Sequence, residues 1–255
     1  MGTGIGVGIA GQVYDLKPGG STPPPSYSNL YSVEFDGIDD YLTNANAPLL
    51  GAAGAGAWTI SFWFNVTTLK GTSQRILDIN PGQATARIQI YLDGGGNTIK
   101  VAGDFTDNYP GFPISAGVWY NCIYRFDGAQ GGTNNVSYVM NGTNKDTGTK
   151  TVNTYGSTGP FYVATNNASV GYFEGFIDEL SIWNSELSDA ECIELYNSGT
   201  PTDLAASSMA ANLQHWWRMG DPNGTASFAT IVDAKGSIDL TMTNMVAGDI
   251  QTNVP

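Results

Sequence analysis

The stretch GYFEGFIDELSIWNSELSDAECIELYNSG, residues 171–199, joins an apolar strand to a short helix and is the most specific fold signal in the chain. Its segment GFIDELSIW has the apolar character of a buried strand. After it, Ser188 is placed to cap the helix N-terminus, and Glu191, three residues later, completes a capping box. Gly199 is placed to end the helix. The stretch therefore predicts a strand that leads directly into one short helix.

Strand patterns with a period of two fill most of the chain before this stretch. In WTISFWFNV (58–66), every second residue is apolar and is expected to face one side of a sheet. Tight turns separate such strands, because IQIYLDGGGNTIKVAG has a Gly-rich centre and VSYVMNGTNK contains Asn141-Gly142, a pair that suits hairpins. Short strands joined by such turns predict two antiparallel sheets packed as a sandwich.

Composition and charge restrict the function classes. The 255 residues carry a formal net charge of −13 with only ten Lys and Arg, which argues against a nucleic-acid partner. No apolar run reaches the ~20 residues of a membrane span, and no charged segment precedes the apolar start, so neither a membrane partner nor a signal peptide is expected. Cys122 and Cys192 are expected to be buried free thiols, with a disulfide as the alternative.

Three motifs, taken in order, resemble the LamG-like jelly-roll family within the concanavalin A-like lectin/glucanase superfamily. They are VEFDGIDDYL (33–42), WTISFWFNV (58–66) and the stretch at 171–199. The resemblance covers about residues 31–199. It implies an all-β fold, a two-sheet antiparallel jelly-roll sandwich with one short helix, to which this chain adds an extended N-terminal arm.

The C-terminal segment, residues 200–255, resembles the opening segment of the same family and therefore has a circularly permuted position. We expect it to complete the same sandwich; pairing with a neighbouring subunit is the alternative. Residues 31–255 would then form one LamG-like domain, and residues 1–30 a docking arm with a Pro-rich linker. The permuted arrangement also resembles sequences of structural proteins from marine tailed phages.

The resemblance also implies one structural Ca²⁺ ion. Many LamG-like domains hold such an ion with carboxylates from the first strand region and from the last strand before the helix. The matching positions here are Asp36, Asp39, Asp40 and Asp178. Carboxylate oxygens suit Ca²⁺. The alternative is a simple turn at Asp36-Gly37 with solvated neighbouring carboxylates.

Carbohydrate is the commonest ligand class of the resembled family, and sugar sites combine aromatic faces with polar groups. The candidate residues lie on or near the apparent non-core face: Trp63, Tyr91, Tyr109, Trp119 and Trp183. The alternative for each is half-buried packing under loops or the helix.

A glucanase-type reaction is not expected. Retaining hydrolysis needs two carboxyl groups about 5 Å apart on one face. Glu174 and Asp178 share a face but lie about 13 Å apart by strand rise, and Glu179 is expected to face the other way. His215, the only histidine, stands next to tryptophans in an expected strand, and core or surface packing is expected for it instead of acid–base chemistry. We therefore expect no enzyme activity.

The segment GVGIAG (6–11) matches the dinucleotide fingerprint G-x-G-x-x-G in letters alone. A cofactor loop needs a buried strand before the glycines and a helix after them, and no helix signal follows Gly11. Apolar residues alternating with glycines instead predict a strand that orders by adding to the sheet of a partner. The docking residues of this arm would be Ile5, Val7, Ile9, Val13 and Tyr14.

Two functions are compatible with these features. The first is a non-enzymatic structural or display protein on the exposed surface of a virion, as capsid decoration, head fibre or tail-associated protein. There the arm would bind other virion proteins, the chain would form a homo-oligomer, and the lectin-like domain would adhere to host-surface glycans. The alternative is a secreted or cell-surface bacterial carbohydrate-binding module or adhesin with an extracellular location.

Overall fold

Two antiparallel sheets pack face to face in the computed structural model. The model describes residues 27–48, 50, 56–81, 87–95, 97–103, 111–129, 135–149, 159–166 and 170–255. The predicted all-β jelly-roll sandwich with one short helix is confirmed for these residues. Six residues predicted to function lie outside them: Ile5, Val7, Ile9, Val13, Tyr14 and Tyr109.

The strands are short and are numbered here in chain order. The first eight are β1 (Ser32–Asp36), β2 (Tyr41–Asn44), β3 (Trp58–Val66), β4 (Gln74–Ile79), β5 (Ile88–Asp93), β6 (Thr98–Gly103), β7 (Phe112–Pro113) and β8 (Trp119–Phe126). The next eight are β9 (Val136–Met140), β10 (Asn144–Gly148), β11 (Phe161–Val163), β12 (Glu174–Trp183), β13 (Leu213–Trp217), β14 (Thr230–Ile231), β15 (Leu240–Thr243) and β16 (Ile250–Gln251). The α-helix of the described residues is α1 (Asp189–Tyr196).

The strands form two sheets of eight. In the first sheet the order is β10–β9–β8–β3–β12–β1–β16, and β13 also pairs with β12. In the second sheet the order is β14–β15–β2–β11–β4–β5–β6–β7. Strands that are far apart in the sequence, such as β3 and β12 or β2 and β11, are neighbours. The arrangement of side chains on each face therefore depends on long-range pairing.

The main core lies between the sheets and follows the predicted alternation. Along β3, the five predicted inward residues are all fully buried: Trp58, Ile60, Phe62, Phe64 and Val66. Inward residues of the second sheet, among them Leu77, Ile90 and Val163, belong to the same cluster. Burying a large apolar side chain contributes about 1.5–3 kcal/mol, so this layer supplies much of the stability.

A second, smaller cluster covers the outer face of the first sheet. Trp183 of β12 packs there with Leu187, Leu195 and Leu213, so α1 and the chain after it lie over this face. Cys192 belongs to this cluster, whereas Cys122 lies in the main core, and both are buried free thiols. Burial raises the pKa of the Cys192 thiol to about 11.

Helix α1 begins as the sequence predicts and ends earlier. Ser188 Oγ accepts the backbone N–H of Glu191 at 3.3 Å, and Glu191 Oε2 accepts that of Ser188 at 2.6 Å. The predicted end at Gly199 is wrong, because α1 stops at Tyr196 and Asn197 takes the left-handed conformation with φ 41°. Asn tolerates this conformation better than most residues because its short polar side chain can hydrogen-bond locally.

The C-terminal segment supplies strands to both sheets of the same chain. Strand β13 pairs with β12, β16 pairs with β1, and β15 pairs with β2. Neighbouring tryptophans of β13 face opposite sides of the first sheet, because Trp217 lies in the main core and Trp216 in the outer cluster. The segment thus contributes to both apolar layers.

Candidate functional site

The outer face of the second sheet carries a group of tyrosines. In β2, β5 and β11, core residues alternate with outward residues, so Tyr41, Tyr91 and Tyr162 point away from the core. Tyr172 joins them from the chain just before β12, where it forms an isolated bridge with Arg75 of β4. All four tyrosines are half-buried. We call them the tyrosine face.

The tyrosine rings lie close enough together to form one platform. The ring centroid of Tyr41 is 6.1 Å from that of Tyr162 and 6.4 Å from that of Tyr172. The ring planes are tilted by 49° and 43° in these two pairs. At the other end, the guanidinium carbon of Arg75 lies 4.6 Å from the ring centroid of Tyr91. Aromatic rings and a cation therefore share one surface.

Charged side chains border these rings. Arg87 donates two hydrogen bonds to Asp78, with Nε–Oδ1 at 2.9 Å and Nη2–Oδ2 at 2.8 Å. The hydrogen bond to Asp78 raises the pKa of the Arg87 guanidinium. Nearby, Lys100 Nζ lies 2.5 Å from Asp93 Oδ2. A half-buried aromatic platform with fixed donors and acceptors at its edge has the composition of a small polar-ligand site.

Of the tyrosine face, only Tyr91 is a candidate from the sequence alone. Tyr41 and Tyr162 belong to β2 and β11, which become neighbours only when the sheet forms. Alternation in YLTN (41–44) gives the outward direction of Tyr41 but does not reveal its neighbours. The pairing of these two strands is the missing information.

Two other sugar-site candidates, Trp63 and Trp183, lack an accessible ring. Their exposed fractions are 3% and 0%. Trp63 stacks on Tyr196 of α1 with the ring centroids 5.8 Å apart. These tryptophans do face away from the main core, but the helix and the chain after it cover that face. Trp119 is half-buried, and its Nε1 donates to Asn253 Oδ1 at 3.3 Å.

Three of the four predicted metal ligands lie together. Asp36, Asp39 and Asp40 each offer a carboxylate oxygen within 4.8 Å of the others. Asp36 Oδ1 also accepts the backbone N–H groups of Ile38, Asp39 and Asp40 at 2.7, 3.2 and 3.4 Å, so a side-chain-capped turn forms here as well. Burial and the neighbouring carboxylates raise the pKa of Asp40 to about 6. The second oxygen of Asp36 and both of Asp39 are not used by this turn.

Asp178 does not lie in this acidic cluster. The register of β1 against β12 places Asp36 opposite Glu174, whereas Asp178 is four residues further along the strand. Its Oδ2 accepts a hydrogen bond from Asn29 Nδ2 at 2.9 Å. A single ion could not use all four predicted ligands in this arrangement.

A bulge in β12 overturns the predicted orientation of Glu179. The register of β12 against β3 shifts between Asp178 and Ser181, and Glu179 has a φ of 48°. Because Ile177 and Leu180 both lie in the main core, the two acidic residues between them both point to the outer face. The prediction that Glu179 faces the other way is wrong, since a bulge adds a residue and breaks the alternation.

Both carboxylates at this bulge are fully buried and bind structural partners. Glu179 accepts hydrogen bonds from Trp216 Nε1 and, at 3.2 Å, from the Tyr27 hydroxyl. The Arg218 guanidinium lies against both of these rings, 4.8 Å from the centroid of Tyr27 and 5.0 Å from that of Trp216. Burial raises the pKa of Asp178 and raises that of Glu179 to about 7. This network joins β12 to β13 and to the chain before β1.

His215 packs as the sequence predicts. Its ring stacks on Trp217 with the centroids 5.4 Å apart and the planes 7° from parallel. Its Nδ1 lies 2.6 Å from Asp233 Oδ2. Sequence reasoning missed Asp233, which lies 18 residues away and accepts several backbone hydrogen bonds.

The two-sheet sandwich and its aromatic outer face define a lectin-like domain. A family model described as concanavalin A-like lectin/glucanases superfamily (Laminin_G_3) matches residues 36–192, and the chain belongs to this family. The predicted resemblance to the superfamily is therefore confirmed. No curated protein matches the sequence.

Several solved structures are similar to this chain. One is a candidate carbohydrate-binding protein from Bacteroides ovatus, with a TM-score of 0.61 and 18% identity over 89% of this chain and 60% of that chain. A pentraxin from Limulus polyphemus has a TM-score of 0.46 and 12% identity, covering 66% of this chain and 82% of its own. Domain 4 of an extracellular arabinanase from Geobacillus stearothermophilus, in complex with arabinotriose, has a TM-score of 0.46 and 17% identity. The match covers 65% of this chain and 76% of that domain. This chain spans three fifths of the Bacteroides protein.

The helices of the structure were compared with the expectation that the chain has no membrane span. In the part of the chain that the structure describes, no helix has the length and apolar character needed to cross a membrane.

Proposed function

We propose that the protein binds carbohydrate through the tyrosine face and catalyses no reaction. The observation that carries this proposal is the group of half-buried rings around Tyr41, bordered by Arg75 and the Asp78–Arg87 pair. Sugar rings have apolar C–H faces that pack on aromatic rings, and hydroxyl groups that need donors and acceptors at the edge. The lectin-like fold suggests the same ligand class.

Tyr162→Ala is expected to lower the affinity for a bound polysaccharide about tenfold or more. Tyr162 packs beside Tyr41 in the platform, and truncating an aromatic side chain that contacts a ligand can cost that much. Binding to a panel of immobilised neutral and acidic polysaccharides would identify a ligand, and calorimetric titration would then compare the variants. Tyr196→Ala is the matched control, because Tyr196 is also half-buried but packs on Trp63 under the first sheet.

The proposal fails if no polysaccharide in the panel binds. It also fails if Tyr162→Ala and Tyr196→Ala bind with the affinity of the wild type while both remain folded by circular dichroism. Loss of binding in the Tyr196 variant alone would move the site to the helix side of the sandwich.

We propose the absence of catalysis because the carboxylates beside the tyrosine face are held in ion pairs. Both carboxylates described beside the tyrosine face, Asp78 and Asp93, are held in ion pairs with Arg87 and Lys100. Glycoside hydrolysis needs a protonated carboxylic acid and a free carboxylate at the scissile bond. Reducing-end assays on each bound polysaccharide test this, and release of new reducing ends above a protein-free blank would contradict it.

We further propose that the domain is displayed on a virion and adheres to host-surface glycans. The support is the resemblance of the permuted sequence to structural proteins of tailed phages and the strand-like pattern of residues 5–14. That arm would bind other virion proteins, and the displayed form would be a homo-oligomer. Deleting residues 1–20 should then abolish incorporation into particles and leave the sandwich folded. Unchanged incorporation, or a monomer absent from virions, would favour the alternative of an extracellular bacterial carbohydrate-binding module or adhesin.

One Ca²⁺ ion is proposed to bind Asp36, Asp39 and Asp40, without Asp178. The support is that oxygens of these carboxylates lie within 4.8 Å of one another and that those of Asp39 are not used by the turn. After EDTA treatment, calorimetric titration should detect Ca²⁺ binding that Asp39→Asn weakens, while Asp203→Asn, outside the cluster, leaves it unchanged. Absence of heat at millimolar Ca²⁺, where even weak extracellular sites fill, would remove the ion from the proposal.

A further inference from the structure

Arg75 has no carboxylate partner among the described residues, whereas almost every other described cation has one. Within the described residues, six cations have a carboxylate oxygen within 4.0 Å: Lys70, Arg87, Lys100, Arg125, Lys145 and Arg218. Two described cations, Arg75 and Lys235, form no such pair. Lys235 is exposed, so water solvates its charge. Arg75 is only half-exposed, so its unpaired charge needs another explanation.

The residues around Arg75 fix its position but leave a hydrogen-bond donor of its guanidinium without an acceptor among the described residues. Its backbone N–H donates to Gly171 O at 2.6 Å, and its guanidinium lies over the ring of Tyr91. The side-chain Nε is buried and donates to no acceptor among the residues that the structure describes. Burial lowers the pKa of this guanidinium, because the charged form is partly removed from water. Burying a donor without an acceptor destabilises the fold.

The two carboxylates described on this part of the second sheet, Asp78 and Asp93, already have cationic partners. Asp78 accepts both hydrogen bonds of Arg87, and Asp93 is paired with Lys100. This part of the second sheet therefore presents three cations and two carboxylates in a chain whose net charge is −13. The excess positive charge is located at Arg75, beside the tyrosine face.

We propose that the polysaccharide bound at the tyrosine face is acidic, with a carboxylate or sulfate group against the guanidinium of Arg75. The inference rests on the proposed carbohydrate binding. A planar guanidinium donates parallel hydrogen bonds to an oxyanion, and such charge-assisted bonds are stronger than neutral ones. The overall negative charge repels polyanions at long range, so recognition depends on this local contact and not on general attraction.

The first test uses the wild-type protein and pairs of polysaccharides that share a backbone and differ in whether they carry the anionic group. Polygalacturonate is compared with its methyl ester for the carboxylate, and dextran sulfate with dextran for the sulfate. The affinity for the charged member of at least one pair should exceed that for the neutral member about tenfold. The two pairs distinguish the sources of the negative charge.

The second test removes the cation. Arg75→Gln should abolish the preference within the responsive pair and lower the affinity for its charged member about tenfold. Lys235→Gln is the matched control, because it makes the same change in net charge at the other unpaired cation and should change affinity less than twofold. Thermal unfolding of each variant confirms that both are folded.

The outcomes separate this inference from the proposed function. Binding of neutral and acidic polysaccharides with equal affinity would overturn the inference and leave carbohydrate binding intact. A preference for acidic members that Arg75→Gln and Lys235→Gln reduce equally would also overturn it, since overall charge would then explain the effect. Binding of no polysaccharide at all would overturn both. If Arg75→Gln fails to fold, the wild-type comparison still decides whether the bound polysaccharide is acidic, and Arg75→Lys, which keeps the charge but loses the planar guanidinium, replaces it as the test of the contact.

Discussion

Arg218→Met is expected to lower the free energy of unfolding by about 3–5 kcal/mol at pH 8, because removing one partner of a buried ion pair leaves uncompensated charge. Arg218 lies 3.5 Å from Glu179 Oε1 and 3.8 Å from Asp221 Oδ2, and its Nη2 donates to Ser28 O at 2.6 Å. Methionine keeps an apolar side chain against the rings of Tyr27 and Trp216, so the measured loss of stability comes from the charge and its hydrogen bonds.

The loss should depend on pH. Burial raises the pKa of Glu179 from its usual 4.5 to about 7, whereas Arg218 opposes this rise. A carboxyl group whose pKa is higher in the folded state stabilises the fold at low pH, and that contribution is lost as the pH rises through 7. Without Arg218 the pKa of Glu179 rises further, so the variant should lose less stability at pH 5.5 than at pH 8.

Urea unfolding of wild type, Arg218→Met and Lys235→Met at these two pH values measures the effect. Lys235→Met makes the same substitution at an exposed, unpaired cation and should cost less than about 0.5 kcal/mol at either pH. If Arg218→Met lost under 1 kcal/mol at pH 8, or lost the same amount at both pH values, the buried carboxylates would not depend on this cation.

The buried network also shows where sequence-based prediction succeeds. Alternation along β3 and the capping box at Ser188 are local patterns, and both were predicted correctly. Glu179 was assigned to the wrong face because a bulge depends on how β12 pairs with β3, and one sequence alone does not contain that register. An outward position also differs from an exposed one. Trp63 faces outward, as predicted, but α1 covers it.

The candidate site was predicted less completely than the fold for the same reason. Tyr91 is a candidate from the pattern of its own strand. Tyr41 and Tyr162 become candidates only because strand pairing brings their rings together. Thr43 and Phe161, which are hydrogen-bonded at this pair of strands, are 118 positions apart in the sequence. Recognition of a platform therefore requires the strand order of the second sheet, which the alternating pattern does not supply.

Asp233→Ala is expected to lower the free energy of unfolding by about 3 kcal/mol, because the net contribution of a single hydrogen bond to a charged group is about 1.5–3 kcal/mol and water can replace the carboxylate at some of its donors. The Asp233 carboxylate accepts backbone N–H groups from Trp216 at 3.0 Å, Gly236 at 2.8 Å and Ile238 at 3.1 Å. It also binds His215 Nδ1 at 2.6 Å. These hydrogen bonds link the chain after β13 to β13 itself, so their loss should destabilise the C-terminal segment.

This effect should weaken in acid. Burial alone would raise the pKa of Asp233, but hydrogen bonds from His215 and from the backbone outweigh burial and lower it from 3.8 to about 2. A carboxyl group whose pKa is lower in the folded state stabilises the fold above pH 4, and the contribution is lost as the pH falls toward 2. The difference between wild type and Asp233→Ala should therefore be full at pH 7 and smaller at pH 3.

Thermal unfolding at pH 7 should show Asp233→Ala melting about 6–12 °C below wild type, from 2–4 °C per kcal/mol for a chain of this size. Asp203→Ala is the matched control, because Asp203 Oδ1 accepts one backbone N–H, from Ala205 at 3.0 Å. Its loss should stay near 1 kcal/mol. Equal losses for the two variants would mean that water replaces the Asp233 carboxylate as an acceptor, and that the C-terminal segment is held by Trp217 and the strand pairing of β13 instead.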